Sequence, residues 1–245
     1  MREFLIALQF LTTLPVKIER KIKEEEYGRS LGWFPASGIT IGIVLVIVSY
    51  IFGFLPSLAL AAVILAASVL ITGGIHLDGF ADTCDSLAGF TTKERALEIM
   101  RDSRVGAMGA IGIVTLLLLK FSLLAGIPKD GLWKALIVMP AFARWSQALA
   151  CYSSKYARAD GKAKYFIEHA GRREVITGAI VTLILALLLM NVEGVGIFLI
   201  SFFLILLFIT FINRKFGGMT GDTIGAVNEI AEVLVLFLSL IFAKR

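Results

Sequence analysis

The chain has 245 residues, 58% of them hydrophobic and only 18% charged, with 24 Lys+Arg against 19 Asp+Glu and a mean hydropathy of +0.85. Water-soluble globular domains run nearer ~45–50% apolar and ~25% charged, so this balance excludes an ordinary soluble domain and a disordered chain. It predicts an all-α, polytopic integral membrane protein whose residues 1–245 form a single transmembrane domain.

The first stretch, MREFLIALQFLTTLP, is apolar but broken by Gln9, Thr12 and Thr13, and no small-residue cleavage site follows. That pattern predicts an interfacial helix ending at Pro15 rather than a signal peptide. Spans are then predicted at 32–52, 58–75, 105–127, 132–152, 175–190, 195–213 and 223–242, about seven helices in all. Each approaches the ~20 apolar residues needed to cross a bilayer. The second and sixth carry no charge; the third holds Lys120, the fourth Lys134 and Arg144, and the seventh Glu229 and Glu232. Charges at that depth face a bundle interior or a cavity, so Arg144 is expected to pair with Glu229, with Glu232 or with a substrate phosphate.

Sorting the charges by loop orients the chain. Of the 24 basic residues, 18 fall in 1–31, 76–104, 153–174 and 214–222, and 15 of the 19 acids fall in the same segments. Positive loops stay inside, which predicts an inner-membrane protein with its N-terminus and these loops in the cytoplasm. Cys84 and Cys151 fall on that reducing side and are expected to be thiols. The chain shows no internal repeat and no pair of inverted halves, which weighs against an ion-coupled transporter.

The chemistry concentrates between His76 and Ser86. On a helix, Asp78, Asp82 and Asp85 lie at about 0°, 40° and −20°, so three carboxylates share one face. No basic residue separates Asp78 from Asp85. A solvated acidic face is one reading of that spacing; a Mg²⁺ site, with carboxylates and substrate phosphates as ligands, is the sharper one. Arg101-Asp102-Ser103-Arg104 follows, and guanidinium forks for phosphate oxygens beside a metal are the components of phosphoryl transfer. Plain anchoring of cytoplasmic loops accounts better for Lys93 and about equally well for Arg101 and Arg104. Gly217-Gly218-Met219-Thr220-Gly221-Asp222 precedes the last span and reads either as backbone N–H groups offered to an anion or as a tight interhelical turn. Asp222 and Glu229 share a helix face beyond it.

Taken together, the blocks Gly74-Ile75-His76-Leu77-Asp78-Gly79-Phe80-Ala81-Asp82-Thr83-Cys84-Asp85, Leu97-Glu98-Ile99-Met100-Arg101-Asp102-Ser103-Arg104-Val105-Gly106 and Gly218-Met219-Thr220-Gly221-Asp222 resemble the signatures of the cobalamin (5′-phosphate) synthase family, the adenosylcobinamide-GDP ribazoletransferases. Leu8-Gln9-Phe10-Leu11-Thr12-Thr13-Leu14-Pro15, Arg144-Trp145 and Tyr156-Ala157-Arg158 extend the resemblance over nearly the whole chain. It implies a membrane enzyme of late cobalamin assembly that joins adenosylcobinamide-GDP to α-ribazole or its 5′-phosphate and releases GMP with Mg²⁺. The resemblance further implies Asp78, Asp82 and Asp85 as metal ligands and Arg101, Arg104 and Arg144 as diphosphate contacts, with Asp102, Ser103, Asp222 and Glu229 also on the substrate side. Asp85, then His76, is the expected general base. Ser86, Thr13 and Gly161-Lys162-Ala163 depart from the family pattern, and none of them removes a charged candidate. A CDP-alcohol phosphotransferase-like lipid enzyme is the rival reading; its Ala-Arg after Asp-Gly is replaced here by Phe80-Ala81-Asp82. The expected partners are the two substrates and the lipid bilayer, with no nucleic acid; the oligomeric state is left open.

Overall fold

The computed structural model describes residues 1–89, 92–102 and 104–243. Eleven α-helices are found among them: α1 (Arg2–Leu11), α2 (Glu24–Ser30), α3 (Phe34–Ile51), α4 (Ser57–Thr72), α5 (Ile75–Leu87), α6 (Lys93–Ile99), α7 (Ala107–Gly126), α8 (Lys129–Tyr152), α9 (Ala163–Glu168), α10 (Arg172–Phe216) and α11 (Gly221–Phe242). A 3₁₀ turn, Leu31–Trp33, runs α2 into α3. The described residues contain no β-strand, only an isolated bridge between Tyr156 and Met219.

Four helical stretches are long and apolar enough to cross a membrane: Glu24–Ile51, Ala107–Gly126, Arg172–Phe216 and Gly221–Phe242. A fifth crossing is made if α4 and α5, bent by 92° at their junction, are one broken span. The bend has a local cause. Gly73 (φ +64°) and Gly74 (φ +68°) both adopt the left-handed conformation that terminates α4, a conformation costly for residues with a Cβ. Thr13 then covers two of the exposed α4 carbonyls, its N–H donating to Ile71 O at 2.8 Å and its Oγ1 to Leu70 O at 3.0 Å.

The predicted fifth and sixth spans run together as α10, 45 residues long. At 1.5 Å per residue a straight helix of that length would measure about 68 Å, twice the hydrocarbon core. It is not straight: Asn191 (φ 54°, ψ −145°) leaves the helical region. Gly194 then lies so close to the Ala186 carbonyl that a Cβ would collide with it. Residues eight apart in a continuous helix stand ~12 Å apart, so α10 doubles back here as a helical hairpin.

The core forms where α8 meets its neighbours. Seventeen of its residues are buried, from Leu132 to Cys151. Gly38 and Gly42, four apart on α3, admit the α8 backbone: a Cβ on Gly42 would sit 2.7 Å from Ile137 Cα, and one on Gly38 would strike the Pro140 carbonyl. This is the small-xxx-small packing used by membrane helices, where close van der Waals approach replaces the hydrophobic effect. Trp145 ties α8 to α10 through Nε1 donating to Val175 O at 3.0 Å.

Candidate active site

The site is assembled on α5. Because α5 leaves α4 at 92°, it runs across one end of the bundle, against the first turns of α7 and α11. Glycines allow both contacts. A Cβ on Gly79 would lie 2.8 Å from Asp222 Cα, and one on Gly225 of α11 would lie 3.2 Å from His76 O, so α5 and α11 cross backbone to backbone. On the other side Gly109 and Gly112 of α7 sit against Asp85 and Cys84. The crossing with α11 places Asp222 beside Asp78 and Asp82, carboxylates separated in the chain by more than a hundred residues.

Asp82 records that crowding. Partial burial, then the Asp222 and Asp78 carboxylates, push its pKa up to about 7, and Arg158 opposes the rise. Arg158 pairs with Asp222 at 2.7 Å. Its position follows from the loop that carries it: Met219 N–H donates to Lys155 O at 2.8 Å and Ala157 N–H to Met219 O at 2.9 Å. Gly218, at φ +154°, permits this pairing because a Cβ there would strike the Lys155 carbonyl. The glycine-rich turn 217–222 therefore acts as an interhelical clasp, with N–H groups of Met219, Thr220 and Thr223 already satisfied within the protein.

Two hollows flank the acidic face of α5. Asp78 and Asp222 line a cavity of about 260 Å³. Phe10, Phe34 and Phe166 contribute to its walls, His76 and Gln147 also line it, and Arg158 and Lys162 are basic members of its lining. His76 and Gln147 are 6% and 1% exposed, and His76 Nδ1 and Gln147 Oε1 have no hydrogen-bond partner. At the other end of the helix, Asp85 borders a groove of about 420 Å³ shared with Arg95, Asp102 and Arg104. Asp82 stands between the two. Arg104 is exposed and bound to Asp102, Nη2 to Oδ2 at 2.7 Å, and this guanidinium holds the Asp102 carboxyl down at about 2. Arg101 is exposed beside this segment, and Ser103 lies outside the described residues.

Asp85 is anchored. Its Oδ2 accepts from Gly106 N–H at 2.7 Å and its Oδ1 from Gly109 N–H at 2.8 Å. A carboxylate at a helix N-terminus neutralises otherwise unpaired N–H groups and the positive end of the helix dipole. The expected base thus fastens α5 to α7, while His76, second in that expectation, is a buried cavity-lining side chain.

Beneath the site lies a closed charge network. Lys120 of α7 binds Glu229 and, at 2.6 Å, Glu232, both on α11. Arg144 of α8, completely buried, binds Glu232 at 3.1 Å and Asn228. Two cations and two carboxylates balance, as a low-dielectric surrounding demands. Arg144 therefore pairs with Glu232, one of the partners its depth suggested; Glu229 pairs with Lys120. Neither Arg144 nor Glu229 lines the two hollows. Sequence reasoning missed Lys120 as the second cation, Asn228 as the bridge, and Arg158 and Gln147 at the cavity. Lys120 had a visible signal, a lone cation in an apolar run of a chain with two acids in another span, and Arg158 had its place in the Tyr156-Ala157-Arg158 block of the resemblance; Gln147 had none beyond its type.

Among the described residues no three acid, His or Cys side chains form a preformed metal cage. The donor set is nonetheless all oxygen, and its mutual repulsion at Asp82 is what a hard cation relieves, and Mg²⁺ commonly takes just one or two protein carboxylates, the rest of its shell being phosphate and water.

Comparison with known proteins gives one answer. A family profile described as cobalamin-5-phosphate synthase matches residues 3–240. The adenosylcobinamide-GDP ribazoletransferase of Geotalea daltonii is 39% identical over 96% of both chains. That of Acetivibrio thermocellus is 35% identical over 99% of this chain and 98% of its own, and that of Clostridium novyi 36% over the same shares. No solved structure matches the chain.

Proposed function

We propose that this chain, which belongs to the cobalamin-5-phosphate synthase family, is a membrane transferase that joins adenosylcobinamide-GDP to α-ribazole or α-ribazole 5′-phosphate and releases GMP. The acceptor hydroxyl attacks the phosphorus nearer the cobinamide; a new P–O ester bond forms, the anhydride bond to GMP breaks, and the hydroxyl proton passes to a carboxylate. The observation that carries the reading is the meeting of Asp78, Asp82 and Asp222 between two hollows, with Arg158 on one side and Arg104 on the other. An acid face able to hold a cation between two substrate spaces suits diphosphate chemistry, in which positioning and charge neutralisation supply most of the acceleration.

In this reading Asp78 and Asp82, with Asp222 opposite and Asp85 next along the helix, would hold Mg²⁺, which would supply charge neutralisation for diphosphate oxygens. Arg158 positions Asp222, and Asp85 keeps α5 registered on α7. Arg101 and Arg104 meet the diphosphate from the groove side, with Asp102 orienting Arg104. The buried Lys120–Glu229–Glu232–Arg144 network supports the site and contacts no substrate.

We also propose seven crossings: α3, α4, α7, α8, the two arms of α10 and α11, with α1 interfacial. The site end then faces the cytoplasm, supported by the concentration of basic residues there. Alkaline phosphatase fusions after Asn191 and after residue 157 test this; activity at the second and none at the first would reverse the orientation.

The decisive experiment is GMP release from adenosylcobinamide-GDP by the protein reconstituted in liposomes, with each acceptor, with Mg²⁺ and after chelation. GMP is expected with the corrinoid donor, lost on chelation and restored by Mg²⁺. Transfer from CDP-diacylglycerol with no GMP from the corrinoid would overturn the assignment; release unaffected by chelation would overturn the metal.

A further inference from the structure

Resting on that reading, the structure divides the two substrates between the two hollows. We propose that the 260 Å³ cavity is the subsite of the acceptor nucleoside, with the benzimidazole ring innermost.

Size is the first argument. Sites for small ligands run from about 300 Å³ upward, and this cavity, at about 260 Å³, admits a bicyclic base and part of its sugar but not a corrin macrocycle. Lining is the second. Phe10, Phe34 and Phe166 are packed on one another, with ring centroids 4.6 Å apart for Phe10–Phe166 and 5.7 Å for Phe34–Phe166. Flat aromatic guests stack against or edge into such a wall.

Polar demand is the third. His76 Nδ1 and Gln147 Oε1 are buried beside the cavity without partners, and a buried unpaired polar atom costs free energy until a ligand or water supplies the missing bond. Guanine carries donors and acceptors around most of its edge, more than the two unpaired atoms beside the phenylalanines can meet. The base of α-ribazole carries two methyl groups and one free ring nitrogen and matches that wall better, while the charged members of the lining, Asp78, Asp222, Arg158 and Lys162, serve the sugar and its phosphate. With the base inside, the sugar lies toward Asp78 and Asp222, where its hydroxyl must be activated, and a 5′-phosphate comes within the domain of Arg158 and Lys162. The guanosine diphosphate half of the donor is then left to the groove beyond Asp82.

The test uses the full chain in lipid nanodiscs, measuring α-ribazole binding by calorimetry without donor and separate KM values for acceptor and donor. Gln147→Leu keeps the size of the side chain and removes its polar atoms; Ile224→Phe narrows the cavity and serves if the first variant fails to fold. For either, the acceptor KM and Kd are expected to rise about tenfold while the donor KM stays within about twofold, a change on the scale of one lost hydrogen bond or a blocked contact. A raised donor KM with unchanged acceptor affinity would assign the cavity to the donor. No change in either, in protein whose wild type releases GMP, would overturn the subsite and leave the overall reaction standing. Absence of GMP release by wild type with intact α-ribazole binding would do the reverse.

Discussion

Lys120→Met isolates what the buried network contributes. In the native protein Lys120 serves Glu229 and Glu232, while Arg144 serves Glu232 and Asn228. Removing the lysine leaves Glu232 with its arginine but leaves Glu229 with only the Asn228 amide, at 3.2 Å. A buried carboxylate is thus stranded, which costs about 3–5 kcal/mol. For a chain of this size each kcal/mol is worth about 2–4 °C in Tm, so the midpoint falls by roughly 6–20 °C. Adding Glu229→Gln restores neutrality, because Arg144 and Glu232 remain paired and a glutamine oxygen still accepts from Asn228. The double variant is therefore expected to recover more than half of the loss. Thermal unfolding in detergent, run as a double-mutant cycle, measures both terms. A single variant within about 1 kcal/mol of wild type, or a double variant no better than the sum of its parts, would refute the argument that charge balance holds these three helices together.

Asp82→Asn removes the carboxylate at the centre of the acidic face; GMP release is expected to fall at least ~100-fold with Tm unchanged or slightly higher, since like-charge repulsion is relieved. Normal turnover would sink the role of Asp82. Asp85→Ala strips the cap from α7 and is expected to cost about 1.5–3 kcal/mol, read as a lowered Tm alongside lowered turnover; lost turnover at unchanged Tm would instead favour a direct chemical role. Gly38→Leu drives a side chain into the α8 backbone at Pro140 and is expected to destabilise by several kcal/mol or block insertion, visible as loss of folded protein on size-exclusion; tolerance would argue against the α3–α8 contact. Arg104→Ala breaks an exposed, solvent-screened pair and is expected to leave Tm unchanged while raising the donor KM, and a rise in acceptor KM instead would reverse the assignment of the two hollows.

The acidic helix illustrates how much of this was legible. Asp78, Asp82 and Asp85 share a face in any helix, and α5 is a helix over Ile75–Leu87, so their grouping needed only local geometry. Their separation of roles did not follow. Asp85 meets Gly106 and Gly109 because α7 packs there, and Asp222 joins Asp82 because Gly79 and Gly225 let α11 pass closely. The fifth and sixth predicted spans were more legible: composition separates them at 191–194, where Asn191 leaves the helical region, and only the close approach of Gly194 to the Ala186 carbonyl needed the structure.

Composition and charge placement by themselves determined the membrane class and the helical secondary structure, because bilayer solvation acts residue by residue. Motif order carried the family. Tertiary structure alone decided which charges line a cavity and which neutralise one another. Arg144 is 84 residues from Asn228 and 88 from Glu232 in sequence, and pairing in a low-dielectric interior depends on distances of a few ångströms that only helix packing sets.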